Sequence, residues 1–132
     1  MVTRDEIIDW FKNYRFFSEC VDKIDQTVKM LDKETCRIMN ESGIETQARI
    51  ESLKNMRKIF THNAAEAEKD INFVIDDLRD DREKEIMKLL YIDGFTFDYV
   101  SMITHISIRQ IYRIRDKIAD RICEMHNMTD TE

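Results

Sequence analysis

From Ile7 onward, apolar side chains recur in steps of three and four: Ile7, Trp10, Tyr14, Phe17, Val21, Ile24, Val28 and Leu31, then Thr35, then Ile38. Only Thr35 departs from the pattern. Alternating steps of three and four average 3.5 residues, the coiled-coil period, and place these side chains on one seam of a helix. The pattern predicts a first helix running nearly to Met39, with Thr3 and Glu6 as a capping box at its start. After a break at Asn40, Glu41, Ser42 and Gly43 the rhythm resumes as Ile50, Leu53, Arg57, Phe60, Ala64, Ala67, Ile71, Val74 and Leu78. At 1.5 Å per residue each helix would span on the order of 50 Å, and a short connection between helices of matched length favours an antiparallel hairpin. With its tip near Gly43, the hairpin sets Val28 near Arg57, Tyr14 near Ile71, Trp10 near Val74 and Ile7 near Leu78. Arg57 alone is out of character in the second seam; it either specifies register or oligomer state, or extends its charged end to water.

The open end of this hairpin carries more apolar surface than two helices can cover. Ile8, Phe11 and Phe16 widen the stripe of the first helix, and Phe73 and Ile75 that of the second. Burying a large aromatic side chain contributes about 1.5–3 kcal/mol, so several left in water favour association. The expectation is a homodimer, or docking onto the C-terminal part, with Ile7, Trp10, Phe11, Tyr14, Phe17, Phe73, Val74 and Leu78 as the candidate oligomer or partner interface.

Beyond residue 79 the pattern shortens. Asp80 with Glu83 can cap a third helix that carries Ile86, Leu89, Leu90 and Ile92 and stops at Gly94. Thr96 caps a short fourth helix, Phe97 to about Thr104, that presents Phe97, Val100 and Ile103 inward. After a turn at His105 and Ile106, Ser107 with Gln110 caps a fifth helix with Ile111, Ile114, Ile118 and Ile122 on its inner face. The opposite face carries Arg109, Gln110, Arg113, Lys117 and Arg121. The sequence therefore divides into a helical hairpin, residues 1–79, and a helix-turn-helix module, residues 80–132. The expected class is all-α: a long antiparallel coiled-coil hairpin followed by that module.

Composition agrees. There is no proline, and of 132 residues only Gly43 and Gly94 are glycine, too few for the tight turns of sheets or for phosphate-cradling loops. The formal charge is −6, which argues against indiscriminate coating of nucleic acid, so any DNA contact must be local. One region has the opposite sign. From Ser107 to Ile122, five cations (Arg109, Arg113, Arg115, Lys117 and Arg121) face two acids (Asp116 and Asp120), a local balance of +3. Over residues 80–132 as a whole, acids outnumber bases.

A short helix, a tight turn and a longer helix whose first turns are exposed and rich in Arg and Gln form the arrangement that enters the major groove of double-stranded DNA. Arginine reads guanine through O6 and N7, glutamine reads adenine through N6 and N7, and free amides at a helix start hold phosphate. The stretch DREKEIMKLLYIDGFTFDYVSMITHISIRQIYRIRDKIADRI resembles region 4 of bacterial sigma factors: a Glu-rich helix, a glycine, a short helix, and Ser before the recognition helix. It covers about a third of the chain. The layout as a whole resembles the phage late-transcription regulators of the ArpU and RinA type. The resemblance implies groove-facing positions at Arg109, Gln110, Tyr112 and Arg113 after the Ser107 cap, and phosphate contacts from Arg115, Lys117 and Arg121. It further implies a transcription regulator of phage or mobile-element origin, acting in a bacterial host cytosol on a promoter, with RNA polymerase as a further partner. Two positions depart from the family: Ser101 stands where alanine is usual, and His105 where the turn usually has glycine.

Other chemistries find less support. Cys20, Cys36 and Cys123 form no CxxC pair and suggest neither a disulfide framework nor structural zinc. Cys123 and His126 lack two further ligands for a tetrahedral site, so they are assigned to a fraying C-terminal helix and no metal is expected. His62 falls on an outward helix face. Asp76, Asp77, Asp80 and Asp81 stand where one helix ends and another needs a cap, which explains them better than a two-carboxylate site. Tyr112 would either touch a base or brace its helix. With no glycine-rich loop, no ligand set and no nucleophile beside a base, neither an enzyme nor a cofactor is expected. No apolar stretch approaches a membrane span, and the start at Thr3, Arg4, Asp5 and Glu6 is unlike a signal peptide, so a cytoplasmic protein is expected. The alternative functions are a protein-interaction module gripping RNA polymerase or another regulator, and a phage DNA-packaging component.

Overall fold

A computed structural model describes the backbone of residues 1–37 and 41–130, and the side chains of residues 1–33 and 44–128. The described residues are all-helical, without strands: α1 (Arg4–Phe11), α2 (Asn13–Arg37), α3 (Glu41–Asp77), α4 (Asp81–Tyr91), α5 (Phe97–Thr104) and α6 (Ile108–Asp130). By contacts the chain divides into two compact units. One joins Met1–Arg15 to Ala67–Glu132, and the other is Phe16–Glu66.

The four anticipated N-caps are all formed. The hydroxyl of Thr3 accepts from the Glu6 amide, the carboxylate of Asp80 from the Arg82 and Glu83 amides, Thr96 from Tyr99, and Ser107 from Gln110. Each satisfies a backbone donor that its helix cannot pair internally. Helix boundaries differ from the expectation in two places. The first helix is interrupted at Lys12, whose amide bonds back to the carbonyl of Asp9, three residues away, so α1 and α2 replace one continuous helix. Glu41, Ser42 and Gly43, expected as the hairpin tip, belong to α3. A single glycine costs a helix only about 1 kcal/mol relative to alanine, and here it stands among residues that favour helix. Residues 38–40, and with them Ile38 and Met39, lie outside the described residues, as does the side chain of Thr35.

In the unit formed by Met1–Arg15 and Ala67–Glu132, α1, the end of α3 and the three C-terminal helices share one core. Phe11 is completely enclosed and lies against Tyr91, ring centroids 5.4 Å apart. Ile7, Ile8, Ile71, Ile75 and Leu78 join Ile86, Met87, Leu90, Val100, Ile111, Ile114 and Ile118 in the same buried cluster. The first residues are tied to α6 as well. The Val2 amide donates to Asn127 Oδ1 at 2.9 Å, and Cys123 Sγ donates to the Val2 carbonyl at 2.8 Å. The stretch around Cys123 and His126, expected to fray, is therefore part of α6. Among the described residues no group of His, Cys, Asp and Glu is arranged to hold a metal.

In the unit Phe16–Glu66, Phe17 stacks on Phe60 at 6.2 Å, and Arg57 forms a fork on Asp25, with Nε to Oδ1 at 2.6 Å. Higher numbers on α2 thus meet lower numbers on α3, the order expected of antiparallel neighbours. Arg57 meets Asp25 where Val28 was expected, a displacement of about one helical turn. Ile24 and Ile50 are buried, and every other described seam position of this unit is at least half-covered. The Arg57 hydrogen bonds hold the Asp25 carboxyl below its ordinary range, and Asp25 in turn raises Arg57.

Candidate nucleic-acid interface

The turn between α5 and α6 is built on two side chains that depart from the sigma pattern. His105 adopts a left-handed conformation, φ 59° and ψ 28°, the region in which glycine is free of steric cost and other residues are uncommon. Ser101 uses its hydroxyl to donate to the Ile106 carbonyl at 2.6 Å, tying α5 to the turn in a way alanine cannot. Ile106 is buried beneath them. Before α5, Gly94 turns with φ +76°, a conformation that favours glycine, while the space a Cβ would take is filled by the movable guanidinium of Arg15.

α5 is set against α6 by Phe97, Val100 and Ser101, with Thr104 half-buried and its hydroxyl on the Val100 carbonyl at 2.6 Å. Ile103, expected inward, is 42% exposed. At about 100° per residue the row 97, 100, 101 and 104 is the one that faces α6, and Ile103 lies off its edge. On α6 the expected inner row is in place: Ile111, Ile114 and Ile118 are buried and Ile122 is half-buried.

The outer face of α6 separates into two zones. At its start Ser107, Arg109, Gln110 and Arg113 are exposed, and among the described residues no ion pair engages Arg109 or Arg113. Three further predicted cations differ in setting. Arg115 is mostly covered: its guanidinium sits 4.7 Å from the Tyr112 ring and 5.5 Å from the Phe97 ring, and bonds Asp116 through Nη2 at 2.9 Å. Lys117 pairs with Glu83 of α4. Arg121 is exposed toward the C-terminal half. Tyr112 stacks on Phe97, centroids 4.4 Å apart and 5° from parallel, so its ring braces α6 against α5 while 40% of the residue stays exposed.

Asp116 and Asp120 of α6 are compensated from α1. Arg4 donates from Nε and Nη2 to the two oxygens of Asp120, each at 2.7 Å, and its Nη1 lies 3.8 Å from Asp116. That hydrogen-bonded fork lowers the Asp120 pKa and raises that of Arg4. Arg4, Glu83 and Ser101 were not anticipated as parts of this face; Arg4 and Glu83 lie on other helices, and spacing along α6 cannot announce them. The Tyr112 and Arg115 contact was not anticipated either, although their spacing of three on one helix is the signal that could have found it. Beneath them, burial pushes the Tyr91 phenol up to about 12, and nearby Arg115 holds that rise back without making a well-formed hydrogen bond.

The predicted interface residues are not one surface. Ile7, Phe11 and Leu78 are buried within the chain and offer almost nothing to a partner; Trp10, Tyr14, Phe17 and Val74 are half-buried; Phe73 is 76% exposed. His62, Asp76, Asp77, Asp80 and Asp81 are exposed. No described helix is long and apolar enough to cross a membrane. No protein-family model, curated protein or solved structure matches the chain.

Proposed function

We propose that this chain is a sequence-specific DNA-binding transcription regulator in which α5, the His105 turn and α6 act as a helix-turn-helix. The observation that carries the reading is the bare start of α6, where Arg109, Gln110 and Arg113 stand exposed and unpaired beside a capped helix end, while the acids further along are answered by Arg4. Arg109, Gln110 and Arg113 supply the base-reading groups. The amides next to Ser107 and the Arg121 guanidinium supply phosphate contacts. Arg115 and Tyr112 act by holding α6 against α5. The antiparallel pairing of α2 and α3 supports a coiled-coil arm, and two chains together would present two such helices to DNA roughly one helical turn apart. The resemblance to sigma region 4 supports a promoter as the target, in a phage or mobile-element setting.

A second reading has its own observation. The outer side of α5 and the turn before it expose Phe95, Tyr99, Met102 and Ile103, each 41–64% exposed. Such a patch favours a protein contact, with RNA polymerase or another regulator, made alongside DNA binding. Selection of bound sequences from random duplex DNA at two salt concentrations separates the readings. The intact chain should enrich one motif, and Arg109→Ala with Arg113→Ala should lose it, each bidentate base contact being worth about 1–3 kcal/mol of discrimination. Enrichment of nothing, or enrichment indifferent to both arginines, refutes base reading by α6 and leaves the protein contact.

A further inference from the structure

We propose that the groove between the end of α3 and the C-terminal half of α6 receives a second copy of this chain, with Phe73 of each copy seated in the groove of the other. The inference rests on the reading that two chains act together and names the surface by which they pair. The groove encloses about 460 Å³, with Val74 and Leu78 on its α3 wall and Ile118 and Ile122 on its α6 wall. Phe73 lines it too, yet is 76% exposed, more than any other aromatic side chain described.

Three observations select a second copy as the occupant. A two-fold contact uses one patch on both partners, so that patch must carry a projection and the hollow to receive it. Phe73 and the groove beside it meet that requirement on one face. The lips of the groove bear opposite charges, Asp77 on α3 and Arg121 on α6, and no ion pair joins them within the chain. A two-fold axis running along the groove brings the α3 lip of one copy over the α6 lip of the other, so Asp77 meets Arg121 twice. Finally, of the anticipated interface residues enclosed in the core, Leu78 lines this groove while Ile7 and Phe11 lie off it, which leaves Phe73 as the exposed aromatic knob on this face.

Sedimentation equilibrium of the full chain without DNA tests the proposal. The expected mass is twice 15.9 kDa. Phe73→Glu, on an exposed position, should give the monomer mass with unchanged far-ultraviolet circular dichroism. Asp77→Arg and Arg121→Asp should each weaken the dimer by about tenfold or more, and the two together in one chain should restore it, because the pair is re-formed with its charges exchanged. A monomeric wild-type chain overturns pairing altogether and leaves the groove to another occupant. A Phe73→Glu chain that remains dimeric, or a double charge exchange no better than the single changes, overturns this surface while leaving pairing elsewhere intact. Half-site binding by Phe73→Glu, which keeps every side chain assigned to DNA, Arg121 included, reads DNA contact separately from pairing.

Discussion

Phe11 and Phe73 look alike in the sequence, both being aromatic residues that widen an apolar stripe, and the structure gives them opposite fates. Phe11 has no exposed surface and packs on Tyr91 and Trp10, at centroid distances of 5.4 and 6.0 Å. Its truncation to alanine removes a fully buried ring from the centre of the core, a change that costs about 3–5 kcal/mol. Tilted aromatic pairs of this kind hold about 0.5–1.5 kcal/mol each beyond area burial, so the upper half of that range is expected. Phe73→Ala removes a ring that is three-quarters in water, and in the isolated chain it should change stability by about 0.5 kcal/mol or less. Trp10 is the single tryptophan and lies in the same unit as both residues, so its fluorescence during urea unfolding reports that unit alone. With a urea slope of about 1–3 kcal/mol/M, Phe11→Ala should lower the midpoint by roughly 2 M and Phe73→Ala should scarcely move it at low protein concentration. Equal shifts for the two variants, or a loss below about 1 kcal/mol for Phe11→Ala, would refute the shared core of α1 and the C-terminal helices.

Two further outcomes test the turn and the buried phenol. His105→Gly should raise the melting temperature and His105→Val lower it, because a left-handed conformation costs a non-glycine residue about 1–2 kcal/mol and a β-branched one the most; the reverse order by calorimetry would disprove the strained turn. Tyr91 carries a folded pKa of about 12 against an ordinary 10.0, so its contribution, on the order of 2 kcal/mol, is fully present below pH 10 and lost as pH rises toward 12. Urea midpoints at rising pH should therefore fall more steeply for wild type than for Tyr91→Phe.

How much of this was legible in the sequence depends on how local the cause is. The N-caps at Thr3, Asp80, Thr96 and Ser107 were readable because a cap is decided within four residues. The seam of α2 and α3 was readable because burial follows period. The break at Lys12 was not, since it accompanies the docking of α1 on α6, a contact more than a hundred residues away in sequence. The antiparallel order was anticipated, but its alignment slipped by a turn at Arg57, because apolar steps alone do not distinguish neighbouring registers. Ile103 was misplaced for a different reason: in a helix of eight residues two apolar rows fit the sequence equally well, and the Thr104 hydroxyl, satisfied on the Val100 carbonyl, allows a polar residue to take the inner place.

The candidate site was legible in its residue types and obscure in its electrostatics. Counted along the chain, Ser107 to Ile122 offers five cations against two acids, and all five look equally available. In the folded chain Arg115 is held by two rings and Asp116, and Lys117 is answered by Glu83. What remains at the start of α6 is Arg109 and Arg113, and their field depends on the acids behind them. Asp116 and Asp120 stand three and seven residues beyond Arg113, about 4.5 and 10 Å along the axis, the first within a Debye length of about 8 Å at physiological salt and the second near it. Left bare, they would offset much of what Arg113 offers a phosphate. Arg4 brings a positive charge to that pair, so Asp116 and Asp120 are answered from α1 and their repulsion of an approaching phosphate is reduced. A protein of net charge −6 can in this way present a positive helix end without a basic surface around it.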